Sequence, residues 1–310
     1  MSGNTSLTDQ RPWDFKRYIG SWSEEKFVEN LPDETYHAIE AVSSGQLVTI
    51  LDEEDGGLDK LYEEKMKGGK KVSDAMKFGT MFHKACLEGP DFLKRYKVIP
   101  EFVGMTKDGR PSTQSAEAKV KKQNWIFDQP PGTIFIEDTT ELDQITGMLD
   151  SIAKHPIAKI LLDGGRRELS GFFNWNGLRC RVRIDIYQDH LLMLTDLKTT
   201  RNALKKPFQK QIVNDLYYVQ AAFYLMAAHR ITGKPMNAFN FLAVEKTAPY
   251  RVSVHEVGQS FLSIAEQRLD MAAAKLKAAI ETGQWHAQPQ IAFTAEAPDW
   301  LINAAAAEAQ

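Results

Sequence analysis

The chain has 310 residues, 43% of them hydrophobic and 25% charged, with 38 Lys and Arg against 41 Asp and Glu for a net charge of -3. This is a globular balance; it excludes disordered, collagenous and coiled-coil classes and a generally basic, histone-like nucleic-acid binder, while leaving room for a local basic groove. Two cysteines, Cys86 and Cys180, exclude a disulfide framework and any four-cysteine zinc or iron–sulfur site.

Residues 1–32 are polar, carry no apolar signal core, and read as a flexible arm. No segment approaches the roughly 18 apolar residues of a membrane span, so a cytoplasmic protein without membrane contact is expected. Residues 33–300 read as one domain, mainly helical over 33–160 and sheet-bearing over 161–285, with a tail at 301–310. Gly68-Gly69-Lys70 lacks the spacing of a phosphate loop. Ser73 caps a predicted helix that runs to Glu88 and stops at Gly89-Pro90, with Met76, Gly79 or Thr80, His83 and Cys86 or Leu87 as its stripe. Further helices are predicted near Ser115–Phe127 and Thr140–Lys154, the second ended by Pro156.

The period then changes. Residues 168–175, 178–187 and 191–198 read as strands, with Asn176-Gly177 as a two-residue hairpin turn. Cys180, Val182, Ile184 and Ile186 alternate with Arg179, Arg181, Arg183 and Asp185. A helix capped by Asn214 runs to Gly233, strands follow at 238–244 and 250–257, and a long helix spans 259–282. Ala304 to Ala309 read as a fraying helix.

Asp196 and Lys198 are two apart on one strand and leave the same face. A two-residue turn at Asp189-His190 pairs Gln188 with Leu191, lays Asp185 opposite Leu194, and makes Asp196 its diagonal neighbour. It also keeps Ile184 and Ile186 on the apolar side. The Asn176-Gly177 hairpin sets Glu168 opposite Asp185. Three carboxylates and one lysine then share a face. Two like charges about 4 Å apart cost roughly 4 kcal/mol at an effective dielectric near 20. A hard divalent cation with oxygen ligands, Mg²⁺ above all beside phosphates, offsets that repulsion.

Asp185 followed by Asp196-Leu197-Lys198 resembles the D…(D/E)xK core of the PD-(D/E)xK nucleases. YYVQAAFY, with Gln220 and Tyr224, resembles the QxxxY helix of their RecB-like branch, and KFGTMFHKACLEG resembles that branch's upstream histidine motif and points to His83. The order YHA…SSGQL, FGTMFHKACLE, CRVRID, LTDLKTT, YYVQAAFY and PDW resembles the RecE-type exonucleases (exodeoxyribonuclease VIII) from about Leu31 to Trp300. One departure is Arg-Ile-Asp at 183–185 in place of Arg-Pro-Asp.

The resemblance implies an α/β fold with a restriction-endonuclease-like core: a central mixed sheet flanked by helices, with a helical N-terminal elaboration. It implies that Asp185 and Asp196 ligate Mg²⁺, with Mn²⁺ as a substitute, that Leu197 belongs to the same metal set, and that His83 contacts the metal. Glu168 joins them, as ligand or support, on the hairpin register. Lys198 orients or activates the attacking water, while Gln220 and Tyr224 touch DNA or hold the active-site strands. Arg201, Lys205 and Lys206 beside the lysine, with Arg179, Arg181 and Arg183 on the carboxylate strand, are the candidate DNA-backbone contacts. The implied activity is a double-stranded DNA exonuclease, 5′→3′ in polarity, leaving 3′ overhangs for single-strand annealing. The implied partners are duplex DNA ends, a RecT-type annealing protein, and further copies of the chain in a ring-shaped trimer or tetramer. The rivals are another nuclease of the superfamily and a non-catalytic DNA-binding protein on the same scaffold.

Overall fold

The hairpin signal at Asn176-Gly177 organises the sheet. Both residues take positive φ, 49° and 74°, the primed-turn geometry that matches the right-handed twist of two strands. In this computed structural model the described residues are 13–67, 73–89, 95–136, 139–286 and 294–308. The first twelve residues of the expected arm, and Gly68-Gly69-Lys70, lie outside them.

The chain runs β1 (Lys26–Val28), α1 (Asp33–Ala38), α2 (Ser44–Leu51), α3 (Gly57–Met66), α4 (Asp74–Glu88), β2 (Tyr96–Val98), β3 (Gly104–Met105), β4 (Pro111–Ser112), α5 (Ala116–Phe127), β5 (Ile134–Ile136), α6 (Thr139–Lys154) and α7 (Pro156–Leu162). It continues through β6 (Arg166–Trp175), β7 (Leu178–Gln188), β8 (Met193–Thr200), α8 (Lys205–Asn214), α9 (Tyr217–Thr232), β9 (Ala238–Glu245), β10 (Val252–Glu256), α10 (Gln259–Thr282) and α11 (Asp299–Glu308). The main sheet has the order β1-β6-β7-β8-β9-β10. Its pairs are antiparallel except β8 with β9, which are parallel and joined through α8 and α9. This is the expected mixed sheet flanked by helices.

Alternation along β9 shows how the two faces are used. Phe239, Phe241 and Ala243 join a core with α2, α9 and α10, while Leu242 and Val244 join a second core with α4 and α6. Both cores bury large aromatic side chains, including Phe223 and Phe173 in the first and Phe82 in the second.

Several expectations need correction. Residues 13–32 are packed, not loose: Phe15 and Tyr18 lie in the first core, and β1 pairs with β6. The helix over Thr139–Lys154 does end before Pro156, but Pro156 also opens the next helix, in the first turn of α7, where its missing N–H costs nothing. Residues 205–214 form a separate helix whose last residue is Asn214, so α9 starts instead after Leu216, held at φ 52°. The buried face of α4 is Phe78, Met81, Phe82 and Ala85 with the expected Cys86 and Leu87, whereas Met76 is exposed and His83 stands at the margin.

Candidate active site

Strands β7 and β8 pair through Gln188↔Met193, Tyr187↔Leu194 and Ile186↔Thr195. The connection is therefore the four residues Asp189–Leu192, not a two-residue turn. The register moves by two, so Asp185 projects onto Asp196 directly rather than diagonally, and the shared face is kept because strand period is two. Beyond Ile186 the ladder stops. The Leu197 N–H instead donates to Asp185 Oδ2 at 2.8 Å. The carboxylate thus fills a fork between the two strands.

The β6–β7 register places Arg167 against Ile186 and Leu169 against Ile184, which brackets Glu168 opposite Asp185 as expected. At that pair the alternation inverts. Glu168 takes φ 49°, and Ile184 packs in the first core while Ile186 packs in the second. The two isoleucines do not share an apolar side. A bulky residue at positive φ is strained, and strain of that kind clusters at functional sites.

Asp196 and Lys198 face α9. Lys198 Nζ is 2.5 Å from Asp196 Oδ2. Gln220 clamps both: its Nε2 donates to Asp196 Oδ1 at 2.6 Å, and its Oε1 accepts from Lys198 Nζ at 3.0 Å. Tyr224, one turn further along α9, is buried, hydrogen-bonds the Ser44 side chain and lines the cleft with Asp185. His83 reaches in from α4. Its Nε2–H donates to the Leu197 carbonyl at 2.7 Å, leaving Nδ1 as a lone pair 3.7 Å from Asp185 Oδ2.

The electrostatics follow from burial. Desolvation, then the nearby Asp196 charge, pushes the Asp185 carboxyl far above the usual carboxylate range. Desolvation and Asp185 together push Glu168 up to about 7. Burial lowers the His83 value, so the imidazole is neutral at pH 7, as a metal ligand must be.

These residues fit a divalent cation. Asp196 Oδ2 is buried without a hydrogen bond and is met only by the Lys198 charge. Two buried carboxylates in register, a neutral imidazole and the Leu197 carbonyl form a hard, oxygen-rich donor set. Among the described residues no three His, Cys, Asp or Glu side chains form a metal cage by themselves.

The arginines of β7 do other work. Arg181 is buried, donates to the Tyr36 carbonyl and stacks 4.6 Å from the Tyr36 ring. Arg183 pairs with Asp33, donates to the Leu31 carbonyl at 2.7 Å and stacks 4.3 Å from the same ring. Arg179 donates to the Arg17 carbonyl and lies over Trp22. The three are already engaged in holding the N-terminal part of the chain to the sheet: the expected arm supplies Arg17, Trp22 and Leu31, and α1 supplies Asp33 and Tyr36. Arg181 and Arg183 still line the cleft beside His83 and Asp185. Arg201, Lys205 and Lys206 are exposed where β8 passes into α8.

Sequence reasoning missed Tyr217, whose ring faces Lys198 Nζ at 4.7 Å, and the Asp33–Lys84 pair, 3.4 Å apart, at the cleft rim. The first had a signal: Tyr217 precedes Gln220 by three, on the same helical face. The second had none, since only folding brings α1 to α4.

Sequence comparison with curated proteins gives no match. A solved structure, named as a putative exonuclease from Eubacterium rectale, superposes with a TM-score of 0.57 at 14% identity, covering 89% of this chain and 99% of that one. At that identity the likeness shows a shared fold. The family model of a PDDEXK-like domain of unknown function (DUF3799) matches residues 43–292, a span that holds His83, the β7–β8 fork and Gln220. The chain therefore belongs to this PDDEXK-like family and has the fold of a PD-(D/E)xK nuclease.

Proposed function

We propose that the protein is a Mg²⁺-dependent exonuclease acting on double-stranded DNA ends, 5′→3′, with Mn²⁺ as a substitute metal. The observation that carries the reading is the fork. Asp185, Asp196 and Lys198 meet there from two strands, and one amide side chain, Gln220, holds the last two.

Asp185, Asp196, the Leu197 carbonyl and His83 Nδ1 would hold the ion, with Glu168 in support. When bound, the ion supplies Lewis-acid activation of water and charge stabilisation at the phosphate. Lys198 orients the attacking water and offsets the negative charge that grows on the phosphoryl oxygens. Gln220 fixes the carboxylate and ammonium relative to each other. The P–O3′ bond breaks, leaving a 5′-phosphate and a 3′-hydroxyl. Arg201, Lys205 and Lys206 lie where a backbone could pass. Digestion of this polarity yields 3′ overhangs, the substrate of a RecT-type annealing protein, and a ring-shaped trimer or tetramer would keep the enzyme on its strand.

The test uses linear duplex labelled at either 5′ or 3′ ends, with and without Mg²⁺, beside closed circular DNA. Release of 5′ label from linear duplex in Mg²⁺ alone, with circles intact and both Asp196→Ala and Lys198→Ala inactive, is the expected result. Intact linear duplex in Mg²⁺, or equal digestion by the two variants, overturns the reading; cut circles make the enzyme an endonuclease.

A further inference from the structure

The carboxylate and amide that hold Lys198 do not account for its whole surrounding. Its ammonium also stands 4.7 Å from the centroid of the Tyr217 ring and 5.7 Å from that of Phe241. The two rings are packed together, 5.6 Å between centroids, and Phe208 backs both at 6.4 and 6.2 Å.

Tyr217 is held in this place from several sides. It is the first residue of α9, set by Leu216 at φ 52°, a backbone state a leucine rarely adopts. Its hydroxyl takes a hydrogen bond from Gln211 Nε2 of α8 at 3.3 Å and also bonds Asp215, the residue just past the end of that helix. Gln211 in turn accepts from Thr200 Oγ1 at 2.7 Å, at the end of the strand that carries Lys198. The corner between α8 and α9 is thereby fastened to β8.

We propose that Tyr217, backed by Phe241, is the positioning residue for Lys198, the ring face confining its ammonium to the side of the fork where Asp196 lies. A lysine head is a mobile point charge on a four-carbon stem. Asp196 and Gln220 attract it, but both also answer to other partners when the carboxylates take up a cation. The aromatic face does not: it attracts a cation through its quadrupole, cannot take its proton as a carboxylate can, and excludes the water that would let the stem swing out. The inference rests on the nuclease reading and adds a residue outside the D…DxK, histidine and QxxxY positions.

The full chain is assayed as wild type, Tyr217→Phe and Tyr217→Leu, with Tyr217→Met as a second aliphatic variant and melting temperatures recorded for each. Tyr217→Phe keeps the ring and should hold kcat on linear duplex within about threefold of wild type. Tyr217→Leu and Tyr217→Met should lower kcat about tenfold with KM nearly unchanged, since the lost interaction positions the reacting group and does not bind substrate. The second readout is acetylation of Lys198 by a water-soluble acyl ester in the DNA-free protein, followed by peptide mass mapping. It should be about tenfold faster without the ring, with Lys205 as an unchanged internal control. Unchanged kcat and unchanged Lys198 acetylation in folded aliphatic variants overturn the proposal, as does a Tyr217→Phe loss equal to theirs. If the wild type cuts no DNA, the nuclease reading fails, while the acetylation arm still decides the role of Tyr217.

Discussion

The Leu197 N–H donates to Asp185 Oδ2 at 2.8 Å, where a continued β-ladder would have given it a carbonyl of β7. A carboxylate has taken the place of backbone. Strands β7 and β8 separate from that point, and the space so opened receives His83 from α4 and Asp196 and Lys198 from β8.

Removing the lysine should be the most damaging change that leaves the donor set intact. Lys198→Ala is expected to lower kcat by about 10²–10³ while thermal stability stays near wild type, the loss typical of one charge-stabilising donor. Single-turnover cleavage at saturating Mg²⁺ is the measurement. A loss below about tenfold would remove Lys198 from the chemistry.

The raised carboxyls make the metal-free protein sensitive to pH. Glu168 moves from an ordinary value of 4.5 up to about 7, and Asp185 moves in the same direction. Such groups bind their proton more tightly in the native than in the unfolded chain, so stability falls as pH rises. In EDTA the melting temperature should drop across the interval from 4.5 to about 7. Mg²⁺ should restore it at the upper end, and a Glu168→Gln, Asp185→Asn double variant should flatten the slope. A metal-free profile that is flat in wild type would contradict the burial argument.

Arg183 is expected to act as a brace. Arg183→Met leaves the Leu31 carbonyl and the Ser170 hydroxyl without this donor and leaves Asp33 with Lys84 alone. Unfolding in urea should show a loss of about 1–3 kcal/mol, the cost of half-buried polar groups left unpaired. A variant as stable as wild type would mean that residues 31–37 need no such brace.

The exposed cations should behave in the opposite way. Changing Arg201, Lys205 and Lys206 together to Gln is expected to spare stability and weaken duplex binding. The slope of log affinity against log salt should flatten by about 2–3 if each meets one phosphate. Titrations in Ca²⁺ at several salt concentrations would measure this. An unchanged slope would place the DNA path elsewhere.

Periodicity and turn chemistry made most elements legible: Ser73 caps its helix as the sequence indicates, accepting the Met76 N–H, and the helix expected near Ser115–Phe127 runs Ala116–Phe127. The face shared by Asp185, Asp196 and Lys198 was also legible, because parity survives a register error of two. The family pattern added His83 and Gln220.

What the sequence determined by itself was therefore local: which residues cap, turn, alternate and share a strand face. The fork, the inversion at Glu168 and the occupation of Arg179, Arg181 and Arg183 by the N-terminal segment came only with tertiary structure. Each depends on where one backbone group finds its partner across the chain. Buried N–H and C=O groups must be satisfied, and the nearest partner in space is not encoded by the spacing of side chains along a strand. A strand pattern shows three arginines facing one way. Only packing decides that Tyr36, Asp33 and Arg17 meet them there, while Arg201, Lys205 and Lys206 stay exposed around the start of α8.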